Sequence, residues 1–186
     1  MNKLETAILG SAVRALNRYE KIAGQWLWHA PEFFLTTYVA NGIARKGWYV
    51  WCDASPSKII FEESRSKRGH IPTNKNKRFD IVVWHKASKT VKAIIEVKRD
   101  WSITSLKGDR KKILKQKNKV KASANSGYLL VYSEEKHRKN GKTATETLEK
   151  RFQRWAHGLG ATISGKHFCA PRKGEWAWGF ALLRLF

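Results

Sequence analysis

The chain has 186 residues, and its 37 Lys and Arg against 15 Asp and Glu give a formal net charge of +22. That length suits one domain with a buried core, and 22 aromatic residues, nine of them Trp, exclude a disordered basic tail. So large an excess of one charge repels itself in the folded state, which makes a polyanion the expected partner. Nucleic acid is expected ahead of an anionic membrane, because the charge is not gathered on one amphipathic helix with a Trp/Leu face.

In chain order, Leu4, Ile8, Ala12, Leu16 and Tyr19 recur every three or four residues and predict an amphipathic helix, an N-terminal helical extension over 1–24. The same stretch lacks the continuous apolar core and cleavage site of a secretory signal. No segment approaches the roughly 20 apolar residues that span a bilayer, so a cytoplasmic protein without a membrane segment is expected. "HAPEFFLTTYVANGIARKGW" predicts a second helix, with Pro31 in its first turn and Gly47 near its end. "WYVWCDA" and "SKIIFEE" predict strands on either side of Ser55-Pro56, and residues 64–78 a basic loop carrying Arg65, Lys67, Arg68, Lys75 and Lys77.

"RFDIVVWHKASKTVKAIIEVKRDW" predicts a β-hairpin. Residues 105–121 predict a helix with a narrow apolar stripe of Leu106, Ile113 and Val120, and its remaining faces are crowded with Lys107, Arg110, Lys111, Lys112 and Lys115. A strand ("GYLLVYS"), a helix capped by Thr143 or Thr145, and two strands around a Pro171–Gly174 turn complete the chain. Helices and strands in this order predict one α/β domain over residues 1–186, with a mixed central sheet flanked by helices. Cys52 and Cys169 stand apart, in no zinc-like spacing. They fit a reducing interior, although sequence leaves their pairing open. The six histidines do not cluster, and His137 and Asn140 lack the partners of a His-Asn-His nuclease.

Within the hairpin, Asp80 opens the first strand and Glu96-Val97-Lys98 closes the second, with fifteen residues between the two acids. Alternate residues of a strand share a face, so Glu96 and Lys98 point one way and Val97 the other, with Asp80 on the neighbouring strand near Glu96. Two neighbouring carboxylates repel unless a cation is supplied, and a hard divalent ion takes such oxygen ligands. The acid-x-Lys pattern recurs at Asp109-Arg110-Lys111 and Glu134-Glu135-Lys136, but only Asp80, Glu96 and Lys98 have both halves on paired strands.

This arrangement resembles the PD-(D/E)XK nuclease superfamily, whose signature is an acid opening one hairpin strand and acid-x-Lys on the next. Phe79 stands where that motif often has proline, and Glu32 matches a glutamate that many members carry on a preceding helix. The resemblance implies a restriction-endonuclease-like fold and a metal-dependent nuclease, an endonuclease on DNA ahead of RNA. It implies that Asp80, Glu96 and the Val97 carbonyl hold Mg²⁺ or Mn²⁺, that Lys98 aligns the attacking water, and that Glu32 assists. Arg65, Lys67, Arg68, Lys75, Lys77, Lys107, Arg110, Lys111, Lys112 and Lys115 would grip phosphates. Asp109 is read as a salt-bridged surface acid, Asp100 as a loop residue, and Gln116 as a further polar candidate. The alternatives are a binding module of the same fold that does not cut, or a nuclease subunit within a homodimer or larger complex.

Overall fold

A computed structural model of the protein describes residues 1–24, 29–63, 78–88, 90–99, 102–117, 124–136, 143–169 and 176–186. Among the described residues, eleven elements follow one another: α1 (Lys3–Ala23), α2 (Glu32–Ala44), β1 (Tyr49–Ala54), α3 (Pro56–Glu63), β2 (Phe79–Trp84), β3 (Val91–Arg99), α4 (Ile103–Lys117), β4 (Ser126–Lys136), α5 (Ala144–Leu159), β5 (Thr162–Cys169) and β6 (Trp176–Arg184). The strands form one six-stranded sheet in the order β1-β2-β3-β4-β6-β5. Only β3 and β4, at its centre, run parallel; the other neighbours are antiparallel.

Sheet alternation divides the core into two layers. Ile81, Val83, Ala93, Ile95, Val97, Tyr128 and Leu130 face α1 and α2, whereas Val82, Trp84, Ile94, Leu129 and Val131 face α3, α4 and α5. α1 belongs to the first layer through Leu4, Ile8, Ala12 and Leu16, which are buried in the same cluster as the sheet. Its entry is fixed by a capping box, in which Asn2 caps the backbone of Glu5 and the Glu5 carboxylate answers to the Asn2 backbone. α5 is started by the equivalent pair of Thr143 and Glu146 and stopped by Gly160 in the left-handed region. Its Leu148, Phe152, Trp155 and Leu159 then form one buried stripe.

One expected strand is a helix. "SKIIFEE" lies in α3, where Pro56 occupies the first position that tolerates its missing N–H. Ser55 Oγ accepts the Lys58 N–H at 3.3 Å, and Ile59 donates to the Ser55 carbonyl. A Ser-Pro start therefore overrides the strand preference of Ile59 and Ile60. Of the helix expected over 105–121, α4 covers the part up to Lys117 and begins two residues earlier; Val120 lies outside the described residues. The basic loop, save Arg78, and the Pro171–Gly174 turn also lie outside them.

α1 and α2 approach closely at Gly42. A Cβ there would sit 1.7 Å from Ser11 Oγ and 2.6 Å from Ser11 Cβ. Gly42→Ala should therefore destabilise the fold in urea titration, since overpacking of about 1–3 kcal/mol exceeds the roughly 1 kcal/mol gained in helix propensity. In a Ser11→Gly background the same substitution should become neutral or stabilising, and equal cost in both backgrounds would show that this contact does not matter.

The two sheet edges are irregular. Asp53 in β1 has φ +51°, and the pairing of β1 with β2 passes from Cys52↔Ile81 to Ala54↔Phe79 around it. Arg78 holds this turn of the backbone through the Asp53 carboxylate at 2.5 Å. β5 shifts register against β6 between Ile163 and Gly165.

Candidate functional site

The hairpin register pairs Ile81 with Ile95 and Val82 with Ile94, so one step further Asp80 lies across from Glu96. By alternation both belong to the sheet face that carries Val82 and Ile94, the face under α4. Val97 points to the opposite layer and is buried there. Its backbone N–H nevertheless donates to Asp80 Oδ2 at 2.8 Å, which ties the first acid to the backbone of the acid-x-Lys strand.

Two helices close on this strand end. From α2, Glu32 Oε1 accepts from Lys98 Nζ at 3.1 Å. From α4, Asp109 approaches Lys98 at 4.0 Å and Lys112 at 3.7 Å. Lys112 Nζ lies 2.7 Å from Glu96 Oε1 and donates to the Arg78 carbonyl at 2.9 Å, above the ring of Phe79. That ammonium is the charge partner of the buried Glu96 carboxylate, which it favours in its ionised form by charge and by hydrogen bonding.

Four carboxylates (Glu32, Asp80, Glu96, Asp109) thus meet two ammonium groups (Lys98, Lys112) at one end of β3, an excess of two acids inside a protein of net charge +22. The electrostatics follow from burial and from that excess. Glu96 is only 1 % exposed, and burial first, then the neighbouring Asp80, push its carboxyl up to about 8, against the pull of Lys112. Burial likewise raises Asp109, with Lys98 and Lys112 opposing. Burial works to lower Lys98, but Glu32 and Asp109 outweigh it and hold its ammonium above the usual lysine range. Lys98 is therefore a hydrogen-bond donor and positive charge at neutral pH, not a base.

The oxygen set suits a hard cation. It contains two facing carboxylates, one of them buried. Among the described residues no three of His, Cys, Asp and Glu form a metal-holding group, so the protein offers a carboxylate pair that backbone carbonyl and water would have to complete.

Asp80, Glu96, Lys98 and Glu32 are thus brought together. Asp109, expected at the surface, faces the cluster, and Lys112, expected among the phosphate contacts, is turned into it; its side chain is 16 % exposed. Lys107, Lys111 and Lys115 remain exposed on α4, while Arg110 is half-buried. Gln116, two turns beyond Asp109, is 2 % exposed, and its Nε2 has no hydrogen-bond partner among the described residues. Arg65, Lys67, Arg68, Lys75, Lys77 and Asp100 lie outside the described residues, as do His137 and Asn140. The acids of the third acid-x-Lys triplet are engaged elsewhere, Glu134 by the Tyr132 hydroxyl and Glu135 by Arg151. Cys52 and Cys169 are free thiols.

Sequence reasoning missed the basic residues of α5. Lys150, Arg154 and His157 line a cleft on that helix, and Lys107, Lys111 and Lys115 line a second one bordered by Gly158 of α5. Polar positions at helical spacing, opposite the buried stripe of Leu148, Phe152 and Leu159, were the available signal. No helix among the described residues is long and apolar enough to cross a membrane. Comparison with family models, curated proteins and solved structures finds no match to this chain.

Proposed function

We propose that this protein is a divalent-metal-dependent nuclease of the PD-(D/E)XK kind, with a restriction-endonuclease-like domain that hydrolyses phosphodiester bonds in DNA. The observation that carries the reading is the acid excess at the end of β3, with Asp80 and Glu96 on one sheet face and Lys98 beside them. Asp80, Glu96 and the Val97 carbonyl would hold Mg²⁺ or Mn²⁺. When bound, such an ion supplies charge to the scissile phosphate and lowers the pKa of a water.

The chain's own groups then have distinct tasks. Lys98, kept protonated by Glu32 and Asp109, donates to the attacking water and to a non-bridging phosphate oxygen, where charge grows in the transition state. Glu32 positions that ammonium, holding its Nζ at 3.1 Å. The Val97 N–H fixes the Asp80 carboxylate, so little reorganisation is left for the moment of reaction. Lys107, Lys111 and Lys115 on α4, with Lys150 and Arg154 on α5, neutralise backbone phosphates and so set position rather than sequence preference.

Incubation of supercoiled, linear, branched and single-stranded DNA, and of RNA, with Mg²⁺ or with EDTA tests the reading. Metal-dependent cleavage of DNA is expected, and no cleavage of any substrate with Mg²⁺ or Mn²⁺ would overturn it. A binding module that does not cut is favoured by one observation, the Lys112–Glu96 contact, which partly neutralises a carboxylate without a metal.

The gripping surface has its own test. Because Lys112 faces inward, the informative triple is Lys107, Lys111 and Lys115→Gln. Binding should weaken on all sequences, and the log–log salt slope should flatten by about 0.9 for each phosphate that is no longer neutralised. An unchanged slope would mean that this face is only solvated.

A further inference from the structure

Lys112 sits where the rest of α4's lysines do not. Lys107, Lys111 and Lys115 extend into solvent. Lys112 instead threads over Phe79 into a set of oxygens, namely Glu96 Oε1 at 2.7 Å, the Arg78 carbonyl at 2.9 Å and Asp109 Oδ1 at 3.7 Å. Two carboxylates and a carbonyl around one positive charge are the kind of ligands that a hard divalent cation takes.

Glu96 is 1 % exposed and the Lys112 side chain 16 %, so their 2.7 Å contact is a buried pairing with a large desolvation cost, and the carboxylate stays open to a cation that binds it better. The flexible stem of Lys112 starts from a helix whose neighbouring positions, Lys111 and Lys115, are exposed, so a rotamer change suffices to carry its head to water.

Building on the metal site proposed above, we propose that Lys112 is a resident counter-cation that a divalent ion displaces from Glu96. A divalent ion ligated by Glu96 would stand within a few ångströms of the Lys112 ammonium in a space where Glu96 is 1 % exposed. Two positive charges so close and so poorly solvated repel strongly. Before the metal arrives, the ammonium occupies the oxygens that the ion would take. After the exchange, an ammonium group is freed on α4, next to the exposed lysines assigned to phosphate.

Reductive methylation of the full chain, followed residue by residue by peptide mass spectrometry, reads the exchange directly. Without divalent ion, Lys112 should be modified severalfold more slowly than Lys111 and Lys115. Saturating Mg²⁺ should raise its rate severalfold and leave theirs unchanged. In Glu96→Gln, Lys112 should be fast from the outset and indifferent to Mg²⁺, which keeps the test informative whatever the activity of that variant. If calorimetry shows Mg²⁺ binding to the wild type while Lys112 stays protected, the exchange is wrong and the metal site stands. If Mg²⁺ does not bind at all, the metal site fails and the exchange with it. If Mg²⁺ releases Lys112 but no nucleic acid is cut, only the nuclease reading falls.

Discussion

Glu96→Gln and Lys98→Ala should each lower the single-turnover cleavage rate by orders of magnitude while leaving DNA affinity nearly unchanged. The two changes act on different parts of one cluster. Glu96→Gln keeps the size of a side chain that is 1 % exposed, so the fold is preserved, but it removes the carboxylate that would ligate the metal opposite Asp80. Lys98→Ala keeps both carboxylates and removes the ammonium that Glu32 and Asp109 hold protonated. Loss of a positioned proton-handling or charge-stabilising group typically costs about 10²–10⁴ in rate. Affinity is assigned to Lys107, Lys111 and Lys115 and to α5, which neither variant touches. The metal response should separate them. Excess Mn²⁺ should partly restore Glu96→Gln, whose amide oxygen still ligates, and should do little for Lys98→Ala. Equal cleavage by the wild type and both variants would place the chemistry elsewhere on the protein.

The second large effect is on stability against pH. The Glu96 carboxyl is raised from its ordinary 4.5 to about 8 in the folded protein, by burial and then by Asp80. Below pH 4.5 it is protonated in both folded and unfolded chains, and its contribution to stability is fully present. Between 4.5 and about 8 the unfolded chain releases the proton and the folded chain keeps it, so stability falls as pH rises. The slope reaches at most about 1.4 kcal/mol per pH unit. Above about 8 the loss is complete. Asp109 and Glu134, also raised chiefly by burial, add to the fall in the same direction. The difference between wild type and Glu96→Gln isolates the Glu96 part: Gln should be the more stable side chain in metal-free buffer at about pH 8–9, with the advantage shrinking toward about pH 5. Saturating Mg²⁺ should reverse this by stabilising the wild type most where Glu96 is ionised. Parallel melting-temperature curves for the two proteins across that range would show that Glu96 ionises normally.

Much of this architecture was legible in the sequence because local signals and tertiary packing agree. The apolar spacing of Leu4, Ile8, Ala12 and Leu16 and the capping residue Thr143 belong to helices whose buried faces match. The Asp80/Glu96 pair was legible for a similar reason, since strand alternation and hairpin register converge on one face. "SKIIFEE" failed because adjacent Ile59 and Ile60 outweighed Ser55-Pro56, a helix start that sequence rules also describe. Lys112 and Asp109 were hidden for a deeper reason. In a run as basic as α4, inward and outward lysines are chemically identical in the sequence. Only the position of Glu96 beneath the helix decides which of them turns in. Spacing held a partial hint, because residues 109, 112 and 116 track beside the buried positions 106 and 113.

The interrupted edges of the sheet bear on how copies of this chain meet. An open sheet offers unpaired backbone groups along its two outer strands, and such rows recruit other strands into aggregates. β1 is only six residues long and is bent at Asp53, whose left-handed backbone is pinned by Arg78. β5 is stepped at Ile163–Gly165. Neither edge presents a long, regular template, so strand-to-strand growth is discouraged at both ends of the sheet. The net charge of +22 opposes association of copies over the rest of the surface as well.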